Sequence, residues 1–286
     1  MRTHEAGAMH GDFASLSPSW LGVPDDVNAL LPQLWPSNVE RADGALHVGG
    51  LSVEKLAAEF GTPAYVFDED DFRARCRAWT DAFTGADVFY ASKAFCSKAV
   101  LRAAVEEGLF VDVCTAGELA VALAAGLDPA RLGLHGNNKS LAELHQAVEL
   151  GVGRIVADSF TEIERLEAIA KELGKRPNVM VRVNVGVEAH THEYIATAHE
   201  DQKFGFSLAG GNAYEAARRV VRAEHLNLVG LHSHIGSQIF DTAAFEVSAA
   251  RVVRLQAKLQ ADLGVTLPEL DLVDEQTDPD AGQHRG

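Results

Sequence analysis

Lys93 lies in the run Tyr90-Ala91-Ser92-Lys93-Ala94-Phe95, directly after a short apolar stretch. A lysine just beyond a buried strand can reach the mouth of an α/β fold. Where it is desolvated, or set beside another cation, its pKa falls and the amine becomes a nucleophile able to form a Schiff base. A solvated loop lysine is the plain alternative. Leu231-His232-Ser233-His234-Ile235-Gly236-Ser237 carries two imidazoles two residues apart, and alternate residues of a strand share a face. Two chemistries fit that spacing. Neutral imidazoles can bind zinc, with His190, His192 and His199 of a polar insertion as further candidate ligands. Otherwise one ring packs flat on an aromatic cofactor while Gly236 and Ser237 offer donors to a phosphate. A purely structural role for both rings is the third reading. His135-Gly136-Asn137-Asn138-Lys139-Ser140 ends a strand and opens a helix, where backbone amides favour an anionic group. An ordinary strand-to-helix turn uses the same residue types. By spacing, Glu118 reads as the capping partner of Thr115.

The elements that would position these groups repeat along the chain. Val88–Ala91, Phe110–Val113, Leu132–Leu134 and Arg154–Val156 are strand-like runs whose centres lie about 22 residues apart, the length of one strand-helix unit. Further runs are Val179–Val185, Leu226–Leu231 and Leu270–Leu272, with longer connections between them. Asp68 is placed to cap a helix with apolar positions Phe72, Cys76, Trp79 and Phe83. Thr115/Glu118, Ser140/Glu143 and Ser159/Glu162 each match a capping box. Gly108, Gly126, Gly151 and Gly174 stand where those helices should end. Such units predict a parallel sheet with helices outside, closing as a (β/α)8 TIM-type barrel. An open doubly wound sheet is the structural rival. In the barrel, chemistry belongs at the C-terminal strand ends. That rule selects Lys93, Asp112, Cys114, His135, Asn137, Asn138, Asp158, Arg182, Asn184, His232, His234 and Ser237.

The bulk properties narrow the partners. The chain has 286 residues, 47% hydrophobic, enough for a sizeable core. Its formal charge of −16 would repel phosphate backbones and anionic lipid. No apolar stretch suits a membrane span or a signal peptide. Three cysteines without a Cys-x-x-Cys pair fit a reducing cytoplasm. Residues 1–45, with four prolines, read as an N-terminal arm; 46–272 as the barrel domain; 273–286 as an acidic, disordered tail.

Taken in order, Tyr-Ala-Ser-Lys93-Ala, Asp112-Val-Cys-Thr-Ala-Gly-Glu118-Leu, His135-Gly-Asn-Asn-Lys-Ser, Arg182-Val-Asn-Val, His190-Thr-His-Glu-Tyr through Lys203-Phe-Gly-Phe, and His232-Ser-His-Ile-Gly-Ser-Gln resemble diaminopimelate decarboxylase, of the alanine-racemase-like (fold type III) class of pyridoxal-phosphate enzymes. The resemblance runs from about residue 45 to Leu272. It implies conversion of meso-diaminopimelate to L-lysine and carbon dioxide, with pyridoxal 5'-phosphate as cofactor and a homodimer as the working form. It implies that Lys93 carries the cofactor and that His234 stacks on its ring. Gly236 and Ser237 would hold its phosphate, and Asp112, Glu118 and Arg182 would orient it. His135, Asn137, Asn138 and Lys203 would line the site. Where the family has a glycine run after this strand, the chain reads Val273-Asp274-Glu275. An acidic segment has the wrong sign for a phosphate cradle. The expectation is an incomplete barrel, truncated before the family's C-terminal β-domain. Two other functions are carried: an inactive remnant of the enzyme, and a metal-dependent hydrolase using His232 and His234.

Overall fold

A computed structural model of the chain describes residues 26, 28–31, 34–186, 204–235 and 242–273. The chain divides into two compact units, 1–72 and 73–286.

In the first unit, β1 (Val39–Ala42), β2 (Ala45–Val48) and β3 (Leu51–Ser52) form an antiparallel sheet, followed by α1 (Val53–Phe60). Asp43 and Gly44 turn between β1 and β2 with φ of 51° and 77°. Positive φ at both central residues is what a tight two-residue hairpin requires, and Asp-Gly is a strong sequence sign of it. The arm boundary expected at 45 therefore falls inside a hairpin. α2 (Glu69–Ala82) is capped by Asp68, whose carboxylate accepts from the Asp71 amide at 3.1 Å.

The second unit is built on seven parallel strands. They are β4 (Phe89–Ala91), β5 (Phe110–Val113), β6 (Leu132–Leu134), β7 (Arg154–Ala157), β8 (Asn178–Asn184), β10 (Asn227–His234) and β11 (Glu269–Val273). They pair in that order from β4 to β11, and a two-residue β9 (Phe206–Ser207) adds to β8. This is the expected α/β barrel sheet in incomplete form. Among the described residues β4 and β11 are its two ends, and no eighth barrel strand joins them. Helices α3 (Lys98–Glu106), α4 (Ala116–Ala124), α5 (Leu141–Leu150), α6 (Phe160–Leu173), α7 (Asn212–Arg222) and α8 (Thr242–Leu263) connect the strands.

Alternation along the strands sorts their residues into two layers. One face carries Val111, Val113, Leu132, Leu134, Ile155, Ala157, Val181, Val183 and Leu231. It packs in one core with helix residues such as Leu101, Leu119, Leu144, Leu166, Val220 and Leu259. Each such leucine contributes about 1.5–3 kcal/mol by leaving water. The other face lines the inside of the curl. At its N-terminal end the Phe89 and Phe110 rings lie 5.1 Å apart, with the Arg154 guanidinium over both. Arg154 also pairs with Asp87 at 2.6 Å and Glu269 at 2.5 Å, joining the entry to β4 with the start of β11. Val156 and Met180 fill the next level, and the polar groups stand above them.

The helix signals hold with one exception. Thr115/Glu118 and Ser140/Glu143 close both halves of their capping boxes. At α6 the Ser159 hydroxyl accepts from the Glu162 amide at 3.2 Å, but the Glu162 carboxylate turns away to Lys139 and the Asp158 amide. Helices α5 and α6 end at Gly151 and Gly174 in left-handed conformation, as the sequence predicts.

Candidate functional site

The inner face at the C-terminal strand ends is polar. On β5, Asp112 points inward and its carboxylate meets His135 Nε2 at 2.8 Å. The contact needs a glycine between them: a Cβ on Gly133 would lie 2.6 Å from the Asp112 carboxylate and 3.4 Å from His135 Nε2. His232 on β10 is registered between Arg182 of β8 and Asp271 of β11, so all three face the same side. The His232 ring meets the His135 ring edge-on at 5.0 Å. Arg182 faces Asp158 at 3.5 Å and lies over the Phe204 ring at 4.6 Å. Asp158 also accepts from the Gly205 amide at 2.7 Å.

Burial and neighbours set the charges of this cluster. Burial resists charging of His135, but the Asp112 carboxylate outweighs it by charge and hydrogen bond, and the imidazole pKa is raised. His232 is held well below the usual histidine range, first by burial and then by the positive groups around it. It is 1% exposed, and neither ring nitrogen has a hydrogen-bond partner among the described residues. Burial, reinforced by Asp112, pushes the Asp271 carboxyl up to about 6. Burial lowers Arg182 despite Asp158.

Lys93 stands exposed in a single 3-10 turn, Ser92–Ala94, that continues β4. It lies close enough to Cys114 to lower that thiol by its charge, though burial, Glu118 and Asp112 leave the thiol raised. Lys93 thus sits at the same end of the curl as Asp112. Glu118 Oε2 accepts from the Cys114 amide at 2.6 Å and the Thr115 amide at 3.1 Å. The cap read from spacing is formed, and this oxygen serves the backbone. Asn137 and Asn138 are exposed in the turn after His135. His234 ends β10 two residues beyond His232, on the same face. Gly236, Ser237, Lys203, His190, His192 and His199 lie outside the described residues.

The site holds groups that the sequence reading did not select. Asp271 shares a face of β11 with Glu269 and is registered against His232; the alternation rule that found the histidines also reaches it. Lys139 and Glu162 carried only a turn and a cap reading. Nothing in their spacing shows that they meet.

For a metal, the described residues gather His135, His232 and Asp271, with ligand atoms all within 4.8 Å of one another. This is a different set from the His232/His234 pair read from sequence. Tetrahedral zinc with bonds near 2.1 Å would draw its ligands to roughly 3.4 Å apart, so the trio would have to contract, and His135 Nε2 is engaged with Asp112.

For an aromatic phosphate cofactor, the described groups fit better. An exposed amine, imidazoles and charges of both signs stand together at the C-terminal strand ends. The strand-end groups Asp112, His135, Arg182, His234 and Asp271 are all partly exposed, above the buried level of Val156 and Met180.

Residues 69–273 match the family described as pyridoxal-dependent decarboxylase, pyridoxal binding domain. The diaminopimelate decarboxylase of Mycobacterium tuberculosis is 57% identical over 237 residues, 82% of this chain and 53% of that protein. That of Mycobacterium leprae is 54% identical over 259 residues, 89% of this chain and 55% of that protein. In structure, the chain is similar to the diaminopimelate decarboxylase of M. jannaschii solved with L-lysine, with a TM-score of 0.77 and 31% identity over 83% of this chain and 56% of that one. The chain spans about half the length of the curated relatives it matches.

Proposed function

The chain belongs to the pyridoxal-dependent decarboxylases, and from that premise we propose that it carries the cofactor site of an enzyme converting meso-2,6-diaminopimelate to L-lysine and carbon dioxide. The observation that supports this reading is the exposed Lys93 turn at the same end of the sheet as the polar ring of Asp112, His135, Arg182, His232 and Asp271. Bound there, pyridoxal phosphate supplies an electron sink for the electron pair left when carbon dioxide departs.

The residues divide the remaining work. Lys93 would hold the cofactor through its amine. His234, on the same face as the buried His232, would lie flat against the ring. Asp112 orients His135 and favours its charged form, which gives the mouth a fixed charge-assisted donor. Arg182 brings a second positive group, steadied by Asp158 and Phe204. Glu118 acts through the backbone: it ties the amides of Cys114 and Thr115, and so fixes the end of β5 beside Asp112. Gly236 and Ser237 would bind the phosphate, and Asn137, Asn138 and Lys203 would meet substrate. Cytoplasmic location and a homodimeric working form belong to the same proposal.

The test is turnover. The chain with pyridoxal phosphate and meso-diaminopimelate should release L-lysine and carbon dioxide, and Lys93→Ala should release neither. Cofactor binding without lysine at high enzyme concentration would favour the inactive-remnant reading. Stoichiometric zinc with no cofactor binding would favour the hydrolase.

A further inference from the structure

Lys139 is a buried cation that takes no direct part in the reaction proposed above. Its side chain is 0% exposed and its ammonium has three short contacts: Gly136 O at 2.6 Å, Val156 O at 2.7 Å and Glu162 Oε1 at 2.6 Å. An ammonium has three N–H donors, and all three are used. Burying such a pair is costly, and well-packed apolar side chains often serve stability equally well or better. Stability alone is therefore a weak reason for it.

The partner points to another reason. Glu118, Glu143 and Glu162 occupy the same position in three successive helices. The first two close capping boxes. Glu162 leaves its box open, reaches Lys139 with one oxygen and accepts from the Asp158 amide at 3.3 Å with the other. Asp158 in turn holds the Gly205 amide at 2.7 Å and faces Arg182 at 3.5 Å. One continuous chain of polar contacts runs from the His135–Ser140 turn, through the ends of β7 and α6, to Arg182 and the segment at Phe204–Gly205.

We propose that Lys139 is a positioning residue for the cofactor pocket: by gripping Gly136, Val156 and Glu162 it sets His135 on one side and, through Glu162 and Asp158, Arg182 and Gly205 on the other. The proposal rests on the pyridoxal reading of the site. Its geometric half can also be tested apart from it.

The experiment compares the full 286-residue chain with Lys139→Met and with the double variant Lys139→Met/Glu162→Leu. Three quantities are read: the urea midpoint without cofactor, the affinity for pyridoxal phosphate by absorbance titration, and hydrogen exchange of the amides at 135–138 and 205. The single variant leaves Glu162 buried and unpaired and loses stability. The double variant removes both charges and regains part of the lost midpoint, the Gly136 and Val156 carbonyls still lacking their donor. Its cofactor affinity stays roughly tenfold or more below wild type, the scale seen when an outer partner of a ligating group is lost. Its amides at 135–138 and 205 exchange faster. A double variant that binds the cofactor as tightly as wild type would overturn the proposal and leave the pair a structural one. If the wild-type chain binds no pyridoxal phosphate, the pyridoxal reading fails. The tether is then judged by exchange alone: faster exchange at Gly205 in the double variant supports it, and unchanged exchange refutes it.

Discussion

Asp271 carries a clear electrostatic consequence at a single residue. Its carboxyl is pushed up to about 6 by burial and by Asp112. A group whose folded pKa is raised binds its proton more tightly in the folded chain than in the unfolded one. Its contribution is fully present below about pH 4 and is lost as pH rises through about 6. His135, also raised, has the same sign: its contribution is present below the ordinary histidine range and fades as pH rises past it. Asp271→Asn should therefore stabilise the chain without added cofactor by up to about 2–3 kcal/mol near pH 8, and by far less near pH 4. Urea unfolding at the two pH values checks this. A variant no more stable than wild type at pH 8 would show that Asp271 has a positive partner in solution. Residue identity was only partly legible here. His135, Arg182 and His232 could be placed by strand alternation and strand ends. The Asp112–His135 bond depends on the missing side chain at Gly133, which no local pattern announces.

Elements were more legible, because short-range physics dictates them. Capping pairs and glycine stops located α2, α4, α5 and α6, the 22-residue rhythm located the first four parallel strands, and apolar runs located the other three, each to within a few residues. The Asp43-Gly44 hairpin was missed because a proline-rich approach suggested an arm. Ser159/Glu162 was half misread because a buried lysine competes for the carboxylate, a tertiary effect that spacing cannot carry. The contact that spans most of the sheet was equally hidden: Arg154 on β7 reaches both Asp87 and Glu269 while covering Phe89 and Phe110. Arg154→Ala removes that bridge and its packing and leaves Glu269 partly buried without its cation. We expect a loss of about 2 kcal/mol, read as a lower urea midpoint. Asp87→Ala, at a more exposed position than Glu269, should cost less. Equal and negligible losses would mean that the bridge does not hold the two ends of the sheet.

For the whole molecule, the sheet, its helices and the polar ring form an incomplete barrel, and the chain covers about half the length of its curated relatives. Composition told little of this beyond an ordinary hydrophobic content and a net charge of −16; among the described residues no helix is long and apolar enough to cross a membrane. The ordered motifs told much more, because each marks a strand end and the barrel brings strand ends together. Attachment of the cofactor depends on one residue of that assembly, Lys93. Incubation of the chain with pyridoxal phosphate, reduction with borohydride and mass mapping of the digested protein test it directly. The account predicts a single phosphopyridoxyl label on the peptide containing Lys93, absent in Lys93→Ala. A label spread over surface lysines, or no label at saturating cofactor, would contradict it.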